Sequence, residues 1–180
     1  IREEFRRAHG IPDDMFLIAH GGKIIPRRRT DIAIKAIKAL DDPRVRLVIF
    51  GAISDEVKAE VSRLIEENCD RVIFLGQLTQ REYIELYLAS DMAFFPGGQS
   101  VLWQEAIGCG LPLVLGKAKG IEYLDRGGNV RIVESEDESG FTAELKKLLD
   151  GEFGKMADAA KTAGREFFSY ERISNLITGE

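Results

Sequence analysis

Short apolar runs recur along this chain, and an amphipathic helical segment follows most of them. That alternation limits the fold more than any single residue does. The runs fall at residues 16–19, 46–50, 72–75, 92–95, 111–115 and 130–133, with helical patterns at 31–40, 55–68, 80–89 and 101–108 between them. Continuously apolar strands separated by helices form parallel sheets covered on both faces. Their crossovers are right-handed. The sequence therefore predicts an α/β domain with a doubly wound parallel sheet of about six strands. Ligands of such sheets bind beyond the carboxyl ends of the strands.

The chain has 180 residues, enough for one Rossmann-like domain with a sizeable core. No internal repeat or linker divides it. Helical patterns continue at 139–149, 153–167 and 170–177. The charged segment 1–10 reads as a linker helix and 165–180 as a closing helix. The first residue is Ile rather than Met, which suggests a piece excised from something longer. No apolar stretch reaches the ~18 residues of a membrane span, and no signal peptide is recognisable. Cys69 and Cys109 make no disulfide framework, which points to a reducing, cytosolic setting. A net charge of −5 argues against a nucleic-acid partner.

Two glycine turns follow strand candidates directly. The second runs Pro96-Gly97-Gly98-Gln99-Ser100 into a helix. Ser100 can cap the first free amides, and a helix start after such a turn attracts anions. Glu105 lies one to two turns inside that helix, and helical side chains lean toward the N-terminus. An anion site with a carboxylate beside it suits a nucleoside diphosphate, the acid accepting from ribose hydroxyls. The first turn, His20-Gly21-Gly22-Lys23, leads to Arg27-Arg28-Arg29. These cations could neutralise a diphosphate, although a charge run is more often a solvated turn.

Other residues read more plainly. Trp103 is a packing residue or lines the site, His20 is a satisfied structural histidine, and residues 134–138 are a solvated acidic loop. Asp13-Asp14 and Asp41-Asp42 look like turns or caps. Ser54 and the Thr79-Gln80-Arg81-Glu82 capping box are helix starts. Glu122 is equally a ligand contact or a helix-start carboxylate. No His, Cys and carboxylate cluster has metal spacing, and there is no Asp-x-Asp. No Gly-x-Gly-x-x-Gly follows a strand, which argues against a dehydrogenase. No Asp ends a central strand, which argues against a phospho-receiver.

At these positions the sequence resembles the C-terminal half of a GT-B glycosyltransferase of the group 1 (family 4) type. Gly22-Lys23-Ile24-Ile25-Pro26-Arg27-Arg28-Arg29 is similar to that family's Gly-Arg-Leu-x-Pro-x-Lys-Gly. Phe74-Leu75-Gly76 is similar to its Phe-x-Gly, a region lining the base pocket. Residues 105–113 are similar to its Glu-Ala-Met-Ala-x-Gly-x-Pro-Val, and residues 167–170 to its closing Phe-Ser-Trp helix. The resemblance implies that Lys23 and Arg28, with Gly97, Gly98, Gln99 and Ser100, hold the donor diphosphate. It implies that Glu105 holds the ribose. Gly22, Gly76, Leu78 and Glu122 are further candidates for donor contact.

One departure stands out. The family pairs two glutamates eight positions apart, the first contacting the donor sugar, and that first position here is Gly97. The family expectation is transfer of a sugar from a UDP- or GDP-sugar to a glycan or lipid-linked acceptor, without a metal or other cofactor. Acceptor groups, and any peripheral membrane association, would reside on an N-terminal domain absent from this chain. The isolated chain would then bind donor but transfer little. The alternatives are a nucleotide-sugar 2-epimerase-like relative and a non-catalytic domain that binds a nucleotide or a partner.

Overall fold

The structure is a computed structural model and describes residues 1–169. Its core is a six-stranded sheet in the order β3-β2-β1-β4-β5-β6, with every pairing parallel. The strands are β1 (Phe16–Gly21), β2 (Val45–Phe50), β3 (Val72–Phe74), β4 (Met92–Phe95), β5 (Leu113–Gly116) and β6 (Val130–Val133). The helices are α1 (Arg2–Ala8), α2 (Thr30–Leu40), α3 (Asp55–Glu67), α4 (Gln80–Ala89), α5 (Val101–Gly108), α6 (Glu138–Lys147) and α7 (Phe153–Phe167).

Side chains alternate across each strand, so the sheet feeds two cores. Leu17 and Ala19 of β1, with Ala93 and Phe95 of β4, face a layer that includes Phe5 of α1, Leu86 of α4 and Trp103 of α5. Ile18, Leu47, Ile49, Met92 and Phe94 face the opposite layer, with Ile34 of α2, Val61 of α3 and Phe141 of α6. Helix α7 serves both, Met156 joining the second core and Ala163 the first. Such burial on both faces is why the strands read as unbroken apolar runs.

Three local readings gain detail. Residues 134–138 are not simply a solvated loop, because the Asp137 carboxylate accepts from the Gly140 amide at 3.2 Å and caps α6. Its hydrogen bonds to Ser135, Ser139 and Gly140 hold its pKa down at about 2. Ser54 occupies the position before α3, yet its hydroxyl makes no capping bond. The helix does start there, and Asp55 and Glu56 meet its dipole as the sequence suggests. Of the segment read as a closing helix, residues 165–167 complete α7 and 170–180 lie outside the described residues.

Candidate active site

β1 and β4 are neighbours, and their crossovers leave in opposite directions along the sheet. This makes the gap beyond their carboxyl ends the topological switch point, where doubly wound sheets bind ligands. Both glycine turns sit there, and the packing brings them into contact. A Cβ on Gly22 would lie 2.7 Å from the Leu102 side chain of α5. A Cβ on Gly97 would lie 2.4 Å from the Arg27 carbonyl oxygen and 2.7 Å from Arg29 Cγ. Only glycine allows so close an approach of the two loops.

Arg28 fastens them together. Its Nη1 donates to the carbonyls of Gly98 (3.3 Å) and Gln99 (3.0 Å). The residue is only 9% exposed, so it is not part of the solvated basic turn that its neighbours suggest. Nε is buried without a partner among the described residues. Burial lowers the Arg28 pKa, with the Arg27 charge adding to the effect. Lys23 and Arg27, by contrast, are exposed. Ser100 caps α5, its hydroxyl accepting from the Leu102 amide at 3.3 Å. Gln99 turns away to donate to the Lys119 carbonyl at 2.7 Å.

His20 ties the loops to the sheet. Its Nδ1 lies 2.7 Å from the Phe94 carbonyl and its Nε2 2.9 Å from Thr30 Oγ1. A carbonyl only accepts, so Nδ1 carries the proton and Nε2 accepts from the threonine hydroxyl. Burial pulls the pKa from 6.5 down to about 4; the Phe94 carbonyl opposes this and the Arg28 charge adds to it. The neutral form is thus the folded form. Its stabilising contribution is complete above pH 6.5, where the unfolded chain is neutral too, and is lost as pH falls toward 4. Urea unfolding should show stability declining across that window by up to ~1.4 kcal/mol per pH unit. The decline should flatten in His20→Gln, and an equally steep decline there would remove the histidine as its source.

Glu105 lies about one turn inside α5, which starts at Val101. It borders a groove of about 550 Å³ between α4 and α5, with Gln80 and Ile84 on one wall and Val101 and Gln104 on the other. Its Oε1 accepts from Gln80 Nε2 at 3.0 Å, and Tyr83 OH lies 3.1 Å from each carboxylate oxygen. Gly76, at φ +69°, and half-buried Leu78 precede α4 and so lead into the same wall. The Thr79–Glu82 capping box sets where α4 begins. Cys109 borders the groove as well, but burial and the Glu105 charge push its thiol up to about 11, leaving it protonated and unreactive.

The sequence-derived residues thus form two adjoining groups. Gly22, Arg28, Gly97, Gly98, Gln99 and Ser100 make one interlocked crown, with Lys23 at its edge. Glu105 looks into the groove on the α4 side of α5. Glu122 is exposed at the start of a short 3-10 turn, Glu122–Leu124, after β5. Gln80 and Tyr83 were not evident from sequence. The available signal was their spacing of three in α4, directly behind the capping box. Among the described residues no group of three or more His, Cys, Asp and Glu could hold a metal ion. No described helix is long and apolar enough to cross a membrane.

Comparison with known proteins agrees with this architecture. A GDP-mannose-dependent monoacylated alpha-(1-6)-phosphatidylinositol monomannoside mannosyltransferase of Corynebacterium glutamicum is 26% identical over 195 residues, covering 97% of this chain and 50% of that protein. A D-inositol 3-phosphate glycosyltransferase of Mycolicibacterium smegmatis is 27% identical over 185 residues, covering 98% of this chain and 42% of that protein. The chain therefore spans about half the length of the curated relatives it matches. HepE of Anabaena, crystallised with UDP, superposes with a TM-score of 0.79 at 19% identity, over 99% of this chain and 52% of that one. The C-terminal domain of LpcC, a group 1 family protein of Francisella tularensis, superposes at 0.79 with 17% identity over 94% of both chains. At these identities the superpositions establish the fold. The family described as glycosyl transferases group 1 matches residues 1–167, and this chain belongs to it.

Proposed function

We propose that this chain is the donor-binding half of a glycosyltransferase, holding a nucleoside diphosphate-sugar whose sugar passes to a glycan or lipid-linked acceptor. The observation that carries the reading is the interlocked pair of turns at the switch point, with a carboxylate in the adjoining groove. Amides at the start of α5, the open edge of Arg28 and the exposed Lys23 would take the charge that develops on the leaving diphosphate. Glu105 would accept from the ribose hydroxyls, and the 76–80 segment would border the base. The HepE structure holds UDP, which makes UDP the first donor nucleotide to try, while the corynebacterial relative is named for GDP-mannose. Acceptor recognition would fall to a second domain, consistent with relatives twice the length of this chain.

Calorimetry with UDP and GDP tests the assignment. One of them should bind, and Glu105→Ala should cost roughly 1.5–3 kcal/mol of that affinity, the range for hydrogen bonds to a charged group. An unchanged affinity in the variant would remove the ribose role. Failure of wild type to bind either nucleotide would favour a domain that has kept the fold and lost the donor.

A further inference from the structure

We propose that Tyr83 is a positioning residue for Glu105, so that recognition of the pentose depends on α4 as well as on α5. The inference rests on the reading of Glu105 as the ribose ligand and adds to it a reason for the carboxylate's orientation.

A half-buried glutamate beside an open groove has three rotatable bonds and no intrinsic reason to face one way. Here Tyr83 OH sits 3.1 Å from both Oε1 and Oε2. A hydroxyl equidistant from the two oxygens shares its single proton between them. It therefore fixes the twist of the carboxylate as well as its position. Gln80 Nε2 adds a second donor to Oε1 at 3.0 Å. Protein donors thus converge on Oε1, and the remaining lone pairs, chiefly on Oε2, stay open to a ligand hydroxyl.

The tyrosine is itself immobilised. Its ring stacks on Phe50, with centroids 5.5 Å apart and an interplanar angle of 17°, and meets Tyr87 at 5.8 Å. Phe50 is the last residue of β2 and only 3% exposed, so Tyr83 stands on the sheet itself. Gln80 and Tyr83 are three apart on one helical face. The reciprocal Thr79–Glu82 bonds fix the helix start from which both are counted. Ordering a glutamate before the ligand arrives spares that cost on binding, a gain of roughly three- to tenfold in affinity.

The test compares UDP with 2′,3′-dideoxy-UDP, which lacks both ribose hydroxyls, on wild type, Tyr83→Phe, Glu105→Ala and the double variant. GDP and its dideoxy analogue run in parallel. Phenylalanine keeps the stack on Phe50 and removes only the hydroxyl, so the urea midpoint should move little. Tyr83→Phe is expected to weaken UDP about three- to tenfold while leaving the dideoxy analogue unchanged. The loss should vanish in the Glu105→Ala background. Equal weakening of both ligands, or the same loss with and without Glu105, would overturn the positioning role while leaving donor binding intact. If Glu105→Ala itself binds UDP as wild type does, or wild type binds no nucleotide, the underlying ribose reading falls and this proposal falls with it.

Discussion

Replacing Arg6 with alanine is expected to destabilise the fold by about 3–5 kcal/mol, the range for removing one partner of a buried ion pair. Arg6 is 1% exposed, and its guanidinium is spent entirely on the amino end of the sheet. Nε donates to the Ala89 carbonyl at 3.0 Å; Nη1 reaches the carbonyls of Pro12, Asp13 and Met15 at 3.1, 3.2 and 2.9 Å. Nη2 meets Asp91 Oδ2 at 2.9 Å, and that same oxygen accepts from the Leu17 amide at 2.7 Å. One side chain thus ties α1 to the end of α4 and to the entries of β1 and β4. Alanine would take one charged donor from the Asp91 carboxylate, which would keep Arg2 and the Leu17 amide, and would strip the carbonyls of Pro12, Asp13 and Met15 of this donor. Lysine cannot serve, because a single ammonium has three donors and no planar fork. Arg2 provides the control. It pairs with Asp91 Oδ1 at 2.7 Å, but its side chain is 41% exposed, so its removal should cost under about 1 kcal/mol. Urea unfolding of the two alanine variants measures both. Equal small losses would mean that water screens the Arg6 pair as well.

Arg6 also illustrates what the sequence could and could not convey. In the run Arg2-Glu3-Glu4-Phe5-Arg6-Arg7 it looks like one more solvated charge, because Asp91, the residue that makes it structural, lies 85 positions away. Arg28 is disguised in the same way, its buried role depending on carbonyls 70 and 71 residues downstream. Tyr83 resembles any helix aromatic until Phe50 and Glu105 are placed on either side of it. The strands, by contrast, are fixed by a local property, since burial on both faces leaves no polar position to interrupt the run. The same holds for the Thr79–Glu82 capping box and the Ser100 cap, where donor and acceptor are two or three residues apart. The crown at the switch point was legible in sequence because glycine marks its own tight approaches. Its clamps were not, because they are made by long side chains crossing between elements.

Gly97 carries the largest expected effect on the site. Gly97→Glu, which introduces the glutamate that the family resemblance implies at this position, should lower diphosphate affinity by at least about tenfold, like-charge repulsion adding to a displaced loop. The obstacle begins at Cβ. The nearest atom to a Cβ there is a backbone oxygen, Arg27 O at 2.4 Å, and no rotamer change can move it aside. Nor can the Arg27–Arg29 loop simply retreat. Arg29 already sits in the left-handed region at φ 53°, and its guanidinium donates to the Glu136 carbonyl at 2.8 Å. Moving the turn would also break the Arg28 bonds to Gly98 and Gln99. Gly97→Ala separates the two contributions. It should cost about 1–3 kcal/mol of stability through overpacking, with a smaller loss of diphosphate affinity than glutamate causes. Uridine, which has no phosphate, should bind both variants nearly as it binds wild type. Here the loop after β1 packs directly against Gly97, the position at which the resemblance implies a sugar-contacting carboxylate. A stable Gly97→Glu that binds a nucleotide-sugar more tightly than wild type would show instead that the two loops can separate enough to admit the side chain.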